Sequence, residues 1–345
     1  MKPNNIARVR RFFLPAILAA LLVAGLGPAG WSADKVGVTA TAAGATGAIP
    51  QDTRIVVNTP AFRMDLFEDG KLIKSYKIGI GYPEFPLPAG LRSADTIIIS
   101  PTWTPPDESW VQSPTSKVKA GQKIAAGDKL NPLGPIKIPI GLPSLIHGGK
   151  SPGSIGGFAS HGCVGLTNSQ VEDFARRLAR VSGTKISDEQ IAEYEKNKTE
   201  TRPVKLARAV PVELRYETIT VENGTLHIYR DVYGRGTNTE ENLRNVLQAY
   251  GLTFDQLSKS QKTRVMLALS QMARDAGGKP IASPAGTDKS KPKGGAGGNM
   301  TRTIRGRKEV AIPIAALKGK GYPAAVALDA GRASKGAPSH PRRRR

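Results

Sequence analysis

The chain has 345 residues, and its 50 Lys and Arg against 28 Asp and Glu give a net charge of +22. The length allows two or three domains, but aromatic residues make up only 6% and there are 38 glycines and 26 prolines, so a good part of the chain is not packed core. The single cysteine excludes an internal disulfide bond and leaves one thiol free for chemistry.

The first 33 residues have the pattern of a secretory signal peptide. Residues 8–11 form a basic start, and the apolar run over residues 12–26 is too short for a comfortable transmembrane helix. Residues 34–50 are mostly Ala, Gly and Thr, which is typical of a flexible tether. We therefore expect an exported protein, which an uncleaved signal would instead anchor to the membrane.

From Thr53 onwards the pattern is that of β-strands. Short β-branched runs are separated by Gly and Pro, and Asp69-Gly70 lies between two apolar runs. Asp-Gly is a hairpin signal because both residues tolerate positive φ. The sequence predicts a mostly β domain of the sandwich or barrel-like type, which we place at residues 51–183.

The only cysteine lies in a glycine-rich segment that also holds two of the four histidines, His147 and His161. A lone cysteine is commonly a small buried apolar residue, but His161 is only two positions from Cys163 and an unpaired thiol in an exported protein is easily oxidised. A thiol that attacks, an imidazole that moves protons and backbone N–H groups that hold an oxyanion are the parts of a cysteine acyl-transfer site.

A helix is predicted directly after this segment. Thr167 and Gln170 form a capping box, and Val171, Phe174 and Leu178 follow at helical spacing. One face of this helix can therefore pack on the sheet and fix the position of the cysteine loop, as acyl transfer requires.

Residues 184–276 are predicted to form a small α+β extension. It begins with a polar, exposed helix at 188–197, continues with strands joined by a turn at Asn223-Gly224, and ends with one or two helices in 239–275. His227 lies in this hairpin, and we interpret it as structural because no partner residue type lies near it in the sequence.

Residues 277–345 contain 16 basic and three acidic residues, a net charge of +13. Such a segment buries too little apolar surface to order itself, so we predict a disordered basic tail. It is either a solvated tail only or a means of binding an anionic surface, either phospholipid headgroups or anionic wall polymer. Export argues against nucleic acid as the partner.

The segment around Cys163 resembles the L,D-transpeptidase catalytic domain (YkuD-like) family, whose signature is His-Gly, a spacer, and Ser-His-Gly-Cys. Here the signature is His147-Gly148 followed by Ser160-His161-Gly162-Cys163. The sequences SPTWTPP at 100–106 and NPLG at 131–134 resemble segments of the Gram-negative, periplasmic branch. The family usually has Arg or Asn two residues after the cysteine, where this chain has Gly165.

The resemblance implies a role for each residue of the signature. Cys163 is the nucleophile, and His147 is the proton donor and acceptor. Supporting roles fall to Gly148, whose backbone carbonyl orients His147, to His161, which stabilises the loop or the thiolate, to Ser160, which supports the turn, and to Gly162 and Cys163, whose N–H groups form the oxyanion hole.

The resemblance also implies the chemistry. Cys163 attacks the carbonyl of the third residue of a peptidoglycan tetrapeptide stem, and D-Ala leaves. The thioester is then resolved by an amine of another stem, by a lysine of an outer-membrane lipoprotein, or by water in a carboxypeptidase or untethering amidase. No metal or cofactor is implied. Two alternatives stay open: a non-catalytic wall-binding module, which Gly165 favours, and an unrelated exported thiol hydrolase.

Overall fold

The computed structural model describes residues 51–281 and 301–322. The predicted signal peptide (1–33) and tether (34–50) lie outside the described residues. The strands of the described part are β1 (Arg54–Asn58), β2 (Arg63–Glu68), β3 (Lys71–Lys77), β4 (Ile80–Gly81), β5 (Gly90–Ile99), β6 (Ile136–Pro139), β7 (Leu145–His147), β8 (Phe158–Ser160), β9 (Val164–Gly165), β10 (Arg202–Arg215), β11 (Ile219–Glu222), β12 (Thr225–Tyr229) and β13 (Glu309–Pro313). The α-helices are α1 (Asn168–Val181), α2 (Asp188–Lys196), α3 (Glu240–Ala249) and α4 (Lys259–Met272). Short 3-10 helices lie at Pro152–Ser154, Phe254–Gln256 and Ala315–Leu317.

One mixed sheet of eight strands carries the fold, in the order β3-β2-β1-β10-β5-β6-β7-β9. The pairs β1–β10 and β7–β9 are parallel. Buried side chains of the sheet, such as Ile55, Leu66 and Ile136, share one core with Val171 and Phe174 of α1. The predicted mostly β fold with a packed helix after the cysteine loop is confirmed.

The turns and caps follow the local sequence. Asp69 and Gly70 join β2 to β3 with φ of 48° and 74°, and Asn223 and Gly224 join β11 to β12 with φ of 42° and 86°. These left-handed angles are those that Asp, Asn and Gly tolerate best. The capping box predicted at the start of α1 is present, with the Thr167 hydroxyl accepting from the backbone N–H of Gln170.

The predicted domain end at residue 183 is wrong. After α1 and α2 the chain returns as β10, which lies between β1 and β5 and pairs with β1 in the register Ile55↔Val212. The eight-stranded sheet is therefore complete only at Arg215. A strand that inserts between two earlier strands leaves no local signal, because its place depends on partners more than 100 residues away.

The extension forms a second core from β11, β12, β13, α3 and α4. Its buried side chains include Val221, Leu226, Leu243, Leu269 and Ile312. An ion pair joins this part to the eight-stranded sheet, because the buried Arg63 of β2 lies 2.8 Å from Glu222 of β11. None of the helices within residues 51–281 and 301–322 is long and apolar enough to cross a membrane.

The predicted tail over residues 277–345 is wrong for residues 301–322, which fold. Strand β13 pairs with β12, and the ring of Tyr322 packs edge-on against Phe67 at 5.7 Å. The few apolar residues here pack into cores built mainly by other elements. The average composition of residues 277–345 cannot show this. A chain that ends at Ala276 would therefore lack a strand. Residues 282–300 and 323–345 lie outside the described residues.

The folded segment also gives His227 a partner. Its Nδ1 hydrogen-bonds the carboxylate of Glu309 in β13, 82 residues further along the chain. The partner comes from a distant part of the chain, so no pattern near His227 in the sequence could show it. The contact joins β12 and β13 within the extension, and His227 is not among the residues that line the cleft of Cys163.

Candidate active site

Two neighbouring strand ends bring the predicted thiol and imidazole together. Strand β7 ends at His147, and β9 begins directly after Cys163, in the parallel register Ile146↔Val164 and His147↔Gly165. This register sets Cys163 level with Leu145, so His147 lies two residues further along the neighbouring strand, and because side chains alternate between the two faces of a sheet, both face the same side. Both line one cleft of about 1430 Å³, together with Ser160 and His161.

Hydrogen bonds fix the loop that carries the thiol. Gly162 has φ of 89°, a left-handed value that favours glycine. The Ser160 hydroxyl accepts from the N–H of Cys163 at 3.1 Å and donates to its carbonyl at 2.6 Å. The Ser144 hydroxyl donates to the carbonyl of Gly162 at 2.8 Å. The Ser160 hydroxyl thus bonds both backbone groups of Cys163 across the turn.

The same contacts correct one predicted role. The N–H of Cys163 is already used by Ser160, so in this structure it is not free to hold an oxyanion. The N–H of Gly162 stays the predicted donor. The backbone of Gly81 comes close to this nitrogen, because a Cβ placed on Gly81 would lie 2.9 Å from the Gly162 nitrogen. A side chain at residue 81 would therefore crowd the N–H of Gly162.

His147 is held in one tautomer. Its Nδ1 lies 2.8 Å from the carbonyl oxygen of Gly148, and because a carbonyl only accepts, Nδ1 carries the proton. The other ring nitrogen, Nε2, is then left as an acceptor. Burial lowers the pKa of His147 to about 3, with a further lowering from the charge of Lys150. The ring is therefore neutral at neutral pH and can take a proton only transiently.

Cys163 is a thiol at rest. Burial raises its pKa above the ordinary value, and the effect is partly offset by a backbone hydrogen bond at Leu145 and by the positive charge of Lys150. Since the thiolate is the nucleophile, the resting pair is a neutral thiol beside a neutral imidazole. Proton transfer must therefore accompany attack on a bound substrate.

We expect alkylation of Cys163 by iodoacetamide to accelerate with pH up to about pH 9 and beyond, since the rate follows the thiolate fraction. A raised pKa moves that fraction to higher pH. No step is expected near the usual histidine value, because the pKa of His147 is about 3. Intact-mass kinetics, with the urea-unfolded chain as control, measure the profile. A plateau in the folded protein below about pH 8 would contradict the expectation.

His161 forms a wall of the cleft. Its ring stacks on Trp110 with a centroid distance of 3.9 Å, and Tyr82 and Phe85 contact it edge-on at 5.2 and 5.0 Å. Trp103 stacks behind Trp110 at 6.2 Å. Burial lowers the pKa of His161 to about 4, together with the charges of Lys150 and Arg302. These contacts give His161 a place in the loop packing, while its Nε2 makes no hydrogen bond within the described residues.

The sequence reasoning missed several residues around the site. The hydroxyl of Tyr233, in the extension, donates to the carbonyl of Gly81 at 2.9 Å and accepts from the N–H of Leu87 at 3.2 Å. Trp110 also went unnoticed, although the SPTWTPP segment marks the start of its loop. Tyr233 has no local signal, because its contact spans about 150 residues.

Gly165, the departure from the family signature, lies within the sheet. Its N–H and carbonyl both pair with Gly79 at 2.8 Å. A Cβ placed on Gly165 would lie 2.8 Å from Cγ of Lys150 and 3.1 Å from its Cε. The space above residue 165 is therefore filled by the Lys150 side chain. Over residues 51–281 and 301–322 no group of three or more His, Cys, Asp or Glu is arranged to hold a metal ion.

A cysteine thiol and a tautomer-fixed imidazole that line one open cleft are the parts of a cysteine enzyme that works by acyl transfer. Residues 52–205 match the family model YkuD, the L,D-transpeptidase catalytic domain. The family that the signature residues predicted is thus the one whose model matches this part of the chain. No curated protein sequence matches the chain.

Similar solved structures are L,D-transpeptidases. The catalytic domain of the E. faecium enzyme is 18% identical with a TM-score of 0.32, over 49% of this chain and 100% of that domain. An enzyme of Mycobacterium smegmatis is 15% identical with a TM-score of 0.27, over 48% of this chain and 58% of that one. An enzyme of Mycobacterium tuberculosis H37Rv is 15% identical with a TM-score of 0.26, over 47% and 57%. The match thus spans less than two thirds of the two mycobacterial chains.

Proposed function

We propose that the protein is a peptidoglycan L,D-transpeptidase. The observation that carries the proposal is the pairing of β7 with β9, which sets His147 and Cys163 on one face of neighbouring strands and in one cleft, while the Gly148 carbonyl fixes the imidazole tautomer. A nucleophile, a base and a group that orients the base form the logic of a catalytic triad. The family match of residues 52–205 supports the same reading.

In the first step His147 Nε2 takes the proton of the Cys163 thiol as sulfur attacks the carbonyl carbon of the third residue of a tetrapeptide stem. The N–H of Gly162 faces the developing oxyanion. The bond to D-Ala then breaks, and its nitrogen takes the proton back from His147. The products of this half-reaction are a thioester on Cys163 and free D-Ala.

In the second step an acceptor attacks the thioester and releases the thiol. An amine of a second stem would give a cross-link, a lysine of an outer-membrane lipoprotein would give an attachment, and water would give a carboxypeptidase or untethering amidase. The cleft is about 1430 Å³, which is room enough for two peptides to enter. We propose a stem amine as the acceptor.

Purified protein incubated with a stem tetrapeptide tests this function. We expect free D-Ala, a thioester mass on Cys163, and a cross-linked dimer when a second stem is added. Hydrolysis without a dimer would assign the carboxypeptidase reaction. A protein that binds sacculi but releases no D-Ala would be the wall-binding module that Gly165 suggested.

We also propose that the enzyme works outside the cytoplasm, in the periplasm, on the strength of the signal-like residues 1–33 and of a wall substrate. Residues 323–345 contain six basic residues and one acidic residue, and we propose that they bind an anionic membrane or wall polymer. A chain ending at Tyr322 should leave anionic vesicles at lower salt than the full chain and should acylate equally well. Identical elution would contradict this role.

A further inference from the structure

Lys150 and Arg302 are two of the four cations that line the cleft, and their charges lie beside the catalytic loop. Lys150 and Arg302 both line the cleft that holds Cys163 and His161, and both charges act on His161. Within the described residues neither side chain forms an ion pair with a carboxylate, whereas many other cations of the protein do. A cation that faces a cleft without a counter-charge is available to an anionic ligand.

The position of Lys150 is set by Gly165. The lysine is half-buried, its backbone N–H donates to the carbonyl of Leu166 at 3.1 Å, and its methylene chain lies over Gly165. Any larger residue at 165 would collide with that chain, because a Cβ there would lie 2.8 Å from Lys150 Cγ. The methylene chain of Lys150 is thus packed on the sheet while its ammonium is directed to the cleft, as in a snorkelling lysine.

Arg302 reaches the cleft from a part of the chain that follows the family match. The backbone N–H of Thr301 donates to the Glu84 carboxylate at 3.0 Å, and the guanidinium lies 5.9 Å from the centre of the Tyr82 ring. Further along, Ile304 packs on the main core. The folded segment 301–322 therefore holds Arg302 at the mouth of the cleft.

The two acids that line the cleft and one further cation, Lys137, already have hydrogen-bond partners. Glu84 accepts from Thr301, and Glu108 accepts from the indole N–H of Trp110 at 2.8 Å. The ammonium of Lys137 donates to the carbonyl of Thr102 at 3.0 Å. Among the described residues, Lys117, Lys150 and Arg302 are the lining cations without such a contact, and Lys150 and Arg302 are the two whose charges act on His161.

We propose that Lys150 and Arg302 form an anion-binding subsite that recognises a carboxylate of the donor peptide. This rests on the proposed function, whose substrate carries carboxylates both on its stem residues and at its D-Ala terminus. Charge-assisted hydrogen bonds from an ammonium and a guanidinium suit such a group. The packed methylene chain of Lys150 fixes the position of its ammonium. Arg302 adds a second cation at the mouth of the cleft.

The test compares enzyme variants on donor peptides that differ only in the number of free carboxylates. Donor tetrapeptides are prepared with all carboxylates free and with each carboxylate amidated singly, and KM and kcat are measured for each. We expect Lys150→Gln to raise KM for the free peptide by about 10- to 100-fold, the range for losing a hydrogen bond to a charged group. On one amidated peptide the wild type and Lys150→Gln should have equal KM, and Lys150→Arg should restore part of the preference for the free peptide.

Arg302→Gln should show the same pattern with a smaller factor, because Arg302 is exposed. Lys137→Gln is the control within the cleft, and Arg305→Gln is the control on the segment 301–322. Neither should change the ratio of KM values between free and amidated peptides. Lys150 also lowers the pKa of Cys163, so a loss of kcat common to all peptides reports on the thiol, and only the difference between peptides reports on the subsite.

The outcomes separate the two proposals. A wild-type enzyme that acylates, but whose Lys150→Gln variant loses the same factor on every peptide, would overturn the subsite and leave the function standing. A wild-type enzyme that releases D-Ala from none of the peptides would overturn the function and the subsite with it.

Discussion

Replacement of Cys163 by alanine is expected to abolish covalent capture of a carbapenem completely. The intact wild-type protein should gain the mass of one drug molecule, because the chain has one cysteine and the thiolate is the group that opens the lactam. The fold should survive, since the hydrogen bonds that hold the loop run through the backbone of residue 163 and the Ser160 hydroxyl. Intact mass after incubation, with thermal melting of both proteins, gives the result.

Ser160→Ala is the matched control for this experiment. It removes the hydroxyl that clamps the turn but keeps the thiol, so the adduct should still form, at a lower rate. An adduct on Cys163→Ala would show a second nucleophile. A wild-type protein that stays unmodified while a known transpeptidase reacts would favour the wall-binding alternative.

The chemistry of the site is predictable from sequence because its parts lie close together in the chain. The carbonyl that orients His147 belongs to the next residue, and the hydroxyl that clamps Cys163 lies three positions before it. Contacts of this kind depend on backbone geometry over a few residues, which glycines and hydroxyls reveal. Even here the N–H of Cys163 donates to the Ser160 hydroxyl and not to an oxyanion, which residue types alone do not show.

The surroundings of the site are not predictable in the same way. The position of the Lys150 side chain depends on the space above Gly165. The position of Tyr233 depends on its hydrogen bond to the carbonyl of Gly81. Strand β10 and the segment 301–322 join elements that are distant in the chain, and the low apolar content of the segment hid its packing. Tertiary contacts override local composition at these places, because burial depends on what other elements leave open.

The folded segment changes what a truncation can test. Removing all residues after Ala276 would take away β13 and Tyr322, which packs against Phe67. A loss of activity in such a protein would mix unfolding with the loss of Arg302 from the cleft. Cutting after Tyr322 keeps both, so it isolates the charge of residues 323–345 from the chemistry at Cys163.

His147→Ala is expected to slow acylation of Cys163 by about 10² to 10⁴, the usual worth of a positioned general base. The thiol remains, but its raised pKa leaves little thiolate near neutral pH, and the imidazole proposed to accept its proton is gone. Stopped-flow acylation by a carbapenem measures the rate. Raising the pH should recover part of it, because thiolate then forms without the imidazole.

Two other histidines make the comparison sharp. His161→Ala removes a ring packed between Trp110, Tyr82 and Phe85. We therefore expect the free energy of unfolding to fall by about 1 to 3 kcal/mol, seen as a lower melting temperature, and acylation to be slower. His227→Ala breaks the contact with Glu309 and should change stability with little effect on acylation. If His147→Ala acylates as fast as the wild type across the pH range, another group takes the proton of Cys163, and the role assigned to His147 is wrong even though the fold and the nucleophile stand.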